Sequence, residues 1–126
     1  MDEKKRLLFI ILSRLGVTYQ YKRIGICDVY FCRYAGVEFS IFGNGDRVTM
    51  NKYIGCYSID LQKTILYLGK NAKKKGCDIV FVDNNGEKHV GLNSSYTDKQ
   101  RLFFNICYFL QMISVGKFLK TKVMTA

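Results

Sequence analysis

The sequence predicts a single α+β domain in the order α-β-β-β(-β)-α-β-β-α, with a mostly antiparallel sheet packed by helices. Three observations favour this class. Apolar residues recur at helical spacing in three segments, they alternate with polar residues in the segments between, and no linker or repeat interrupts the chain. With 126 residues, 48% of them apolar, the chain can bury a core of its own, so residues 1–126 are expected to form one domain.

The chain opens with a helix and a first strand. Apolar residues at helical spacing predict a helix over residues 3–15, and Gly16 stands where a left-handed cap would end it. Apolar and polar residues then alternate from Val17 to Lys22, which is the period of a half-buried strand. Gly25 ends this strand.

Two runs rich in β-branched and aromatic residues follow. Residues 27–34 and 37–42 are separated by Ala35-Gly36 and predict neighbouring antiparallel strands. Asn44-Gly45 is the strongest hairpin signal in the chain, because both central residues of a type I′ turn need positive φ. A further strand is therefore predicted over residues 47–50.

The second half predicts a helix, two strands and a last helix. From Ser58 the apolar period becomes helical, and the second helix is predicted to end at Gly76. Residues 79–82 and 87–92 predict two strands joined by an Asp-Asn-Asn-Gly turn. A capping-box spacing begins at Thr97 and starts a third helix, which is predicted to end near Gly116.

The third helix is apolar over most of its circumference. Phe103, Phe104 and Tyr108 lie off its main apolar stripe. Deep burial explains this pattern, and so does a surface that binds a partner protein or forms a homodimer.

The cysteines and the apolar runs bear on the compartment. The five cysteines form no C-x-x-C pair, so neither a disulfide framework nor a zinc knuckle is indicated, and we expect a reducing, intracellular and cytoplasmic setting. No apolar run is long enough for a bilayer, so no transmembrane span is predicted. The apolar run 7–12 is too short for a signal peptide, so this segment is expected to be retained.

The charge of the chain is strongly basic and uneven. Lys and Arg number 20 against 10 Asp and Glu, and residues 61–126 carry +7 of the +10 excess. A polyanion is the natural partner of such a chain, although cations at a helix C-terminus are also favoured by the helix dipole. The residues predicted to contact nucleic acid are Lys70, Lys73, Lys74, Lys75, Lys88, His89, Lys99 and Arg101. Also in this half are Lys117, Lys120 and Lys122, and three tyrosines that could stack on unpaired bases, Tyr67, Tyr96 and Tyr108.

Carboxylates form a second candidate site. Asp28 opens one predicted strand and Glu38 lies in the next. Two acids on adjacent strands can hold a divalent cation that activates water against a phosphodiester, and Glu3 on the first helix could join them. The alternative is that Asp28 begins a strand after a turn and that Glu38 faces water.

The order of helix, three strands, helix and strand, with these acids on strands two and three, resembles the PD-(D/E)xK nuclease superfamily, in particular the small archaeal-type junction resolvases. The resemblance covers roughly residues 3–92. It implies a metal-dependent nuclease with Glu3, Asp28 and Glu38 as catalytic residues, and with Asp28 and Glu38 as ligands of Mg²⁺ or Mn²⁺.

One position departs from that family. Ser40 stands where the catalytic lysine belongs, and a serine cannot supply the positive charge that orients hydroxide and offsets charge in the transition state. The site could therefore be inactive, unless Lys52 or Lys63 takes over that role.

Other catalytic motifs are absent from the sequence. There is no phosphate loop, dinucleotide fingerprint or serine elbow, and no cofactor is predicted beyond the metal that the resemblance implies. We expect a protein that binds nucleic acid through a basic surface, with a degenerate or unusual nuclease as the enzymatic version. The rival expectation is a protein-interaction module, such as a small inhibitor or accessory factor of a virus or mobile element, whose basic face meets an acidic partner protein.

Overall fold

Three helices and six strands make up the part of the chain that the computed structural model describes, residues 2–125 apart from the side chains of Asn84 and of residues 116–125. In chain order they are α1 (Glu3–Arg14), β1 (Thr18–Ile24), β2 (Cys27–Tyr34), β3 (Val37–Asn44), β4 (Arg47–Tyr53), α2 (Ile59–Lys74), β5 (Ile79–Asn84), β6 (Glu87–Ser95) and α3 (Lys99–Thr125). The strands form one antiparallel sheet in the order β1-β2-β3-β4-β6-β5. The predicted α+β class and element order are confirmed.

The strands are joined by tight turns where the sequence predicts them, with one shift. Asn44 pairs with Arg47 as a strand residue, so the turn between β3 and β4 is made by Gly45 and Asp46 rather than by Asn44 and Gly45. Ala35 and Gly36, with φ values of 51° and 78°, supply the two consecutive positive φ angles that a type I′ turn needs. The hairpin prediction at Asn44 was right in place and wrong in its turn residues.

The ends of α1 and α2 follow the predicted signals. The Asp2 side chain accepts a hydrogen bond from the Lys4 amide, and the Ser58 side chain accepts one from the Leu61 amide. Gly76 follows α2 with a φ of 94°, a conformation that glycine adopts without a steric penalty.

The end of α3 was predicted wrongly. The helix continues through Gly116 to Thr125. A glycine inside a helix costs about 1 kcal/mol relative to alanine, which lowers helix stability without breaking the backbone hydrogen-bond ladder.

All three helices lie on one face of the sheet. The register aligns a row of side chains toward that face, Tyr30, Ile41, Met50, Leu92 and Ile79, and each is at most 2% exposed. α3 packs across this row, α2 packs against α3 and β5, and α1 adds Leu8, Ile11 and Leu12 to the same core.

Burial accounts for most of the apolar circumference of α3 over its described side chains, whereas Phe103 remains 36% exposed. Leu102, Ile106, Phe109 and Ile113 are fully buried, and the Phe109 ring lies 5.7 Å from the Phe39 ring. Phe104 and Tyr108 pack partly buried against this core. None of the helices in the described chain is long and apolar enough to cross a bilayer.

The other face of the sheet, called the open face below, is not covered by any of the described helices. Because side chains alternate along a strand, the open face is formed by the residues between the buried ones. It includes Phe31 on β2, Phe42 on β3 and Tyr53 on β4, all of them exposed.

Candidate nucleic-acid interface

The two strand carboxylates lie on opposite faces of the sheet. Asp28 pairs with Gly43 and points to the helical layer, where it accepts a hydrogen bond of 2.5 Å from the Tyr21 hydroxyl. Glu38 pairs with Arg33 on the open face, and its Oε1 lies 2.5 Å from Arg33 Nη2. This hydrogen bond from Arg33 lowers the pKa of Glu38.

The predicted metal site is therefore not assembled. Asp28 and Glu38 are also five positions apart in register, which is roughly 17 Å along a strand. Within residues 2–125, no three His, Cys, Asp or Glu side chains are grouped so that they could hold a metal ion. Glu3 lies exposed in the first turn of α1 and completes no such group. The donors do not fit Mg²⁺ or Mn²⁺, because β2 and β3 present these two acids to different sides.

Two of the predicted basic residues, Lys88 and His89, lie on β6 and not on α2. Lys88 pairs with Asp83 beside the β5–β6 turn, and His89 lies on the open face, where its Nδ1 is 3.1 Å from Asn51 Oδ1. The lysines of the C-terminal part of α2, Lys70, Lys73, Lys74 and Lys75, lie toward the opposite end of the sheet, because α2 ends next to the start of β5. β6 therefore carries Lys88 and His89 away from the C-terminal end of α2.

Arg101 is engaged in the fold. Its guanidinium donates to both carboxylate oxygens of Asp78 at 2.8 Å and to the Gly76 carbonyl at 3.3 Å. These bonds, with a further one from Asn105, hold the pKa of Asp78 below its ordinary value. Arg101 therefore joins α3 to the start of β5, and its charge is already paired. Lys99 lies exposed at the first turn of α3.

The remaining lysines define a surface, called the α2 basic face. Lys63, Lys70 and Lys74 are seven and four positions apart, so they lie on one side of the helix together with Tyr67. All four are exposed, and Tyr67 retains 65% of its accessible surface. Among the described side chains, no carboxylate lies within salt-bridge distance of these three lysines.

Lys73 and Lys75 flank the α2 basic face at its C-terminal end. The Lys73 ammonium lies 6.0 Å from the centre of the Phe81 ring on β5, and the Lys75 ammonium lies 5.8 Å from that of Tyr108 on α3. Both lysines are nevertheless exposed, so an anion can reach them. The contact with Phe81 also places Lys73 beside β5, which is an edge strand of the sheet.

Of the three tyrosines predicted to stack on bases, only Tyr67 is freely exposed. Tyr96 is buried, with its hydroxyl against Gly43, and desolvation raises its pKa to about 12. Tyr108 is half-buried beneath Lys75. The side chains of Lys117, Lys120 and Lys122 lie outside the described residues.

The exposed rings of the open face were not among the predicted binding residues. Phe31, Phe42 and Tyr53 keep 47%, 37% and 43% of their surface exposed. They alternate with buried residues along β2, β3 and β4. Strand periodicity could therefore have separated them from the core, once it was known which alternate residues of each strand face the helices. Lys63 was missed as a binding residue, although its helical spacing from Lys70 was a usable signal.

Comparisons of this chain with protein-family models, with curated proteins and with solved structures found no match.

Proposed function

We propose that this chain binds nucleic acid and contacts the phosphate backbone through the α2 basic face. The observation that carries the proposal is the grouping of three lysines without acidic partners and an exposed tyrosine on one side of a helix. Lys63 and Lys74 are eleven positions apart, about 16 Å along a helix, so the face is long enough to contact several phosphates of one strand.

The charge of the whole chain supports the same ligand. A net charge of +10 attracts a polyanion before contact and raises the rate of encounter. Lys73 and Lys75 extend the cationic surface at the end of α2. The proposal includes no phosphodiester cleavage, because Glu3, Asp28 and Glu38 do not form a metal site here. We also propose that the protein works in a reducing, cytoplasmic compartment, in keeping with five cysteines that are all free thiols.

The test is the salt dependence of binding to a fluorescein-labelled duplex. Each phosphate contact contributes about 0.9 to the slope of log K against log salt, so the double variant Lys70→Gln, Lys74→Gln should lower that slope by about 1.8. At 0.1 M salt this corresponds to binding that is weaker by about 60-fold. Glutamine keeps the helical propensity and the length of the side chain close to those of lysine.

The matched control removes two charges from α1. Arg6 and Arg14 are both exposed, so Arg6→Gln, Arg14→Gln changes the net charge by the same amount on a different helix. We expect this control to keep the wild-type slope. Equal losses in the two double variants would show a general charge effect and would contradict an α2 site.

A protein-interaction module is the second candidate, and the open face is the observation that favours it. Ile24, Val80 and Val82 are exposed there in addition to the three aromatic rings. An apolar surface of this kind often marks a contact with another macromolecule. Absence of binding to any nucleic acid at low salt would make an acidic partner protein the better explanation.

A further inference from the structure

The open face combines aromatic rings with a polar centre. Phe31 and Phe42 lie on adjacent strands and are diagonal neighbours, because Phe31 pairs with Ser40 and Phe42 pairs with Val29. Tyr53 lies on the next strand, and its ring centre is 5.2 Å from that of His89. The three rings therefore span β2, β3 and β4.

Between the rings, the open face carries side chains that can form hydrogen bonds. Ser40 pairs in register with Asn51, and Asn51 pairs with Gly91, which carries no side chain. The amide oxygen of Asn51 lies 3.1 Å from His89 Nδ1, which fixes the amide group. Among the described residues the amide NH₂ of Asn51 has no partner, so it remains free to donate.

Two hollows occupy this face. The larger one, of about 760 Å³, has Phe31 and Tyr53 at its sides with Ser40 and Asn51 between them. The smaller one, of about 400 Å³, lies beside Phe42 and Arg47. Both volumes fall in the range of about 300–1,000 Å³ that is typical of small-ligand sites in proteins.

The chemistry of the open face favours unpaired nucleobases over a second copy of the chain. A second copy of the chain would need a dry apolar centre for sheet-on-sheet packing, whereas the centre here is polar. Two copies would also each bring a net charge of +10. Unpaired nucleobases have an apolar ring face for stacking and a polar edge for hydrogen bonds, and they match both components of the face.

Cations are available for the phosphates of such a strand. Lys22 and Arg47 lie on the open face, and Arg47 is oriented by its hydrogen bond to the Asn93 side chain. Lys73 stands beside β5, so a strand that leaves the α2 basic face can pass over this edge onto the open face.

We infer that the open face is a binding site for unpaired bases of single-stranded nucleic acid, with Phe31, Phe42 and Tyr53 as stacking rings and Asn51 as a donor to a base edge. This site deepens the proposed function and depends on it, since the α2 basic face would supply most of the contacts to phosphate.

The experiment compares fluorescein-labelled single-stranded dT15 with a 15-base-pair duplex by anisotropy. The variants are Phe31→Leu and Phe42→Leu, which remove the ring but keep an apolar side chain on an exposed position, so the core is untouched. Loss of one stacked base should weaken binding of dT15 by roughly tenfold. Duplex binding should stay within twofold of wild type. Phe9→Leu, the same exchange at an exposed phenylalanine of α1, is the control and should leave both probes unchanged.

The outcomes separate the two proposals. If the leucine variants bind dT15 within twofold of wild type while Lys70→Gln, Lys74→Gln loses affinity, the open-face site is wrong and the proposed function stands. If the wild-type protein binds neither probe at low salt, both proposals fail. If the wild-type protein is a dimer in sedimentation and Phe31→Leu makes it a monomer, the open face is occupied by a second copy and the site for bases is overturned.

Discussion

Asn105 should be the most sensitive polar residue of the fold, and its removal can be given a magnitude from the structure. It is fully buried in α3. Its side-chain NH₂ donates to Asp78 Oδ2 at 2.7 Å and to Ser94 Oγ at 3.0 Å, and its oxygen accepts from the Asp78 amide at 3.1 Å. One side chain thus joins α3 to β5 and β6.

Asn105→Ala removes these three hydrogen bonds and leaves their partners underneath a helix. A neutral hydrogen bond contributes about 1 kcal/mol and one to a charged group about 1.5–3 kcal/mol, so the loss should be about 3–5 kcal/mol. A chain of 126 residues has a free energy of unfolding of roughly 6–19 kcal/mol, so this is a large share.

Urea unfolding followed by circular dichroism measures this change. With a slope near 2 kcal/mol/M, the midpoint should fall by about 2 M at unchanged slope. Asn105→Leu fills the volume but cannot form the hydrogen bonds, so it should lose nearly as much stability as the alanine variant. Gln111→Ala, at an exposed position of the same helix, should stay within about 0.5 kcal/mol of wild type. A loss below about 1 kcal/mol in both Asn105 variants would refute the reasoning.

Two further predictions concern titratable groups. The pKa of Asp78 is lowered in the folded state, chiefly by Arg101. The pairing therefore stabilises the protein at pH values above the ordinary carboxyl pKa of about 4, and this stabilisation is lost as the pH falls through the lower pKa of the folded state. Arg101→Gln should therefore flatten the dependence of the unfolding free energy on pH below about pH 4. The salt dependence of duplex binding should stay unchanged, and a lower slope would instead show that Arg101 contacts phosphate. Burial raises the pKa of the Cys32 thiol to about 12 and that of Cys77 to about 11, whereas Cys56 is exposed. Titration with a disulfide reagent at pH 8 should label Cys56 quickly and should label Cys32 and Cys77 only after unfolding, and rapid native labelling of Cys32 would contradict its placement in the core.

The elements of the fold could be predicted because their signals are local. Ser58 and Gly76 bracket α2 through side-chain capping and a positive φ, and both depend on residues within one helical turn. The end of α3 could not be predicted in the same way. Gly116 weakens a helix only slightly, and the balance is decided by what the rest of the helix packs against.

The candidate sites were less predictable because they depend on which face each residue occupies. Asp28 and Glu38 are both acids on neighbouring strands, yet the register sends one to the helices and the other to the open face. A change of one residue in strand register inverts this assignment, and the register is set by the buried side chains and the turns of the whole sheet. Arg101 similarly cannot be distinguished from other exposed cations in the sequence, and only the fold shows that it pairs with Asp78.

The sequence by itself determined the type and order of the elements and the cationic excess of the chain, because periodicity, capping and charge count are properties of short segments. Only the tertiary structure decided that the lysines of α2 share an exposed side, that Lys88 and His89 lie elsewhere, and that one face of the sheet is left with Phe31, Phe42 and Tyr53 uncovered. The physical reason is that pairing and layering bring together residues far apart in the chain, and the packing of the whole core selects one arrangement among those that each segment allows.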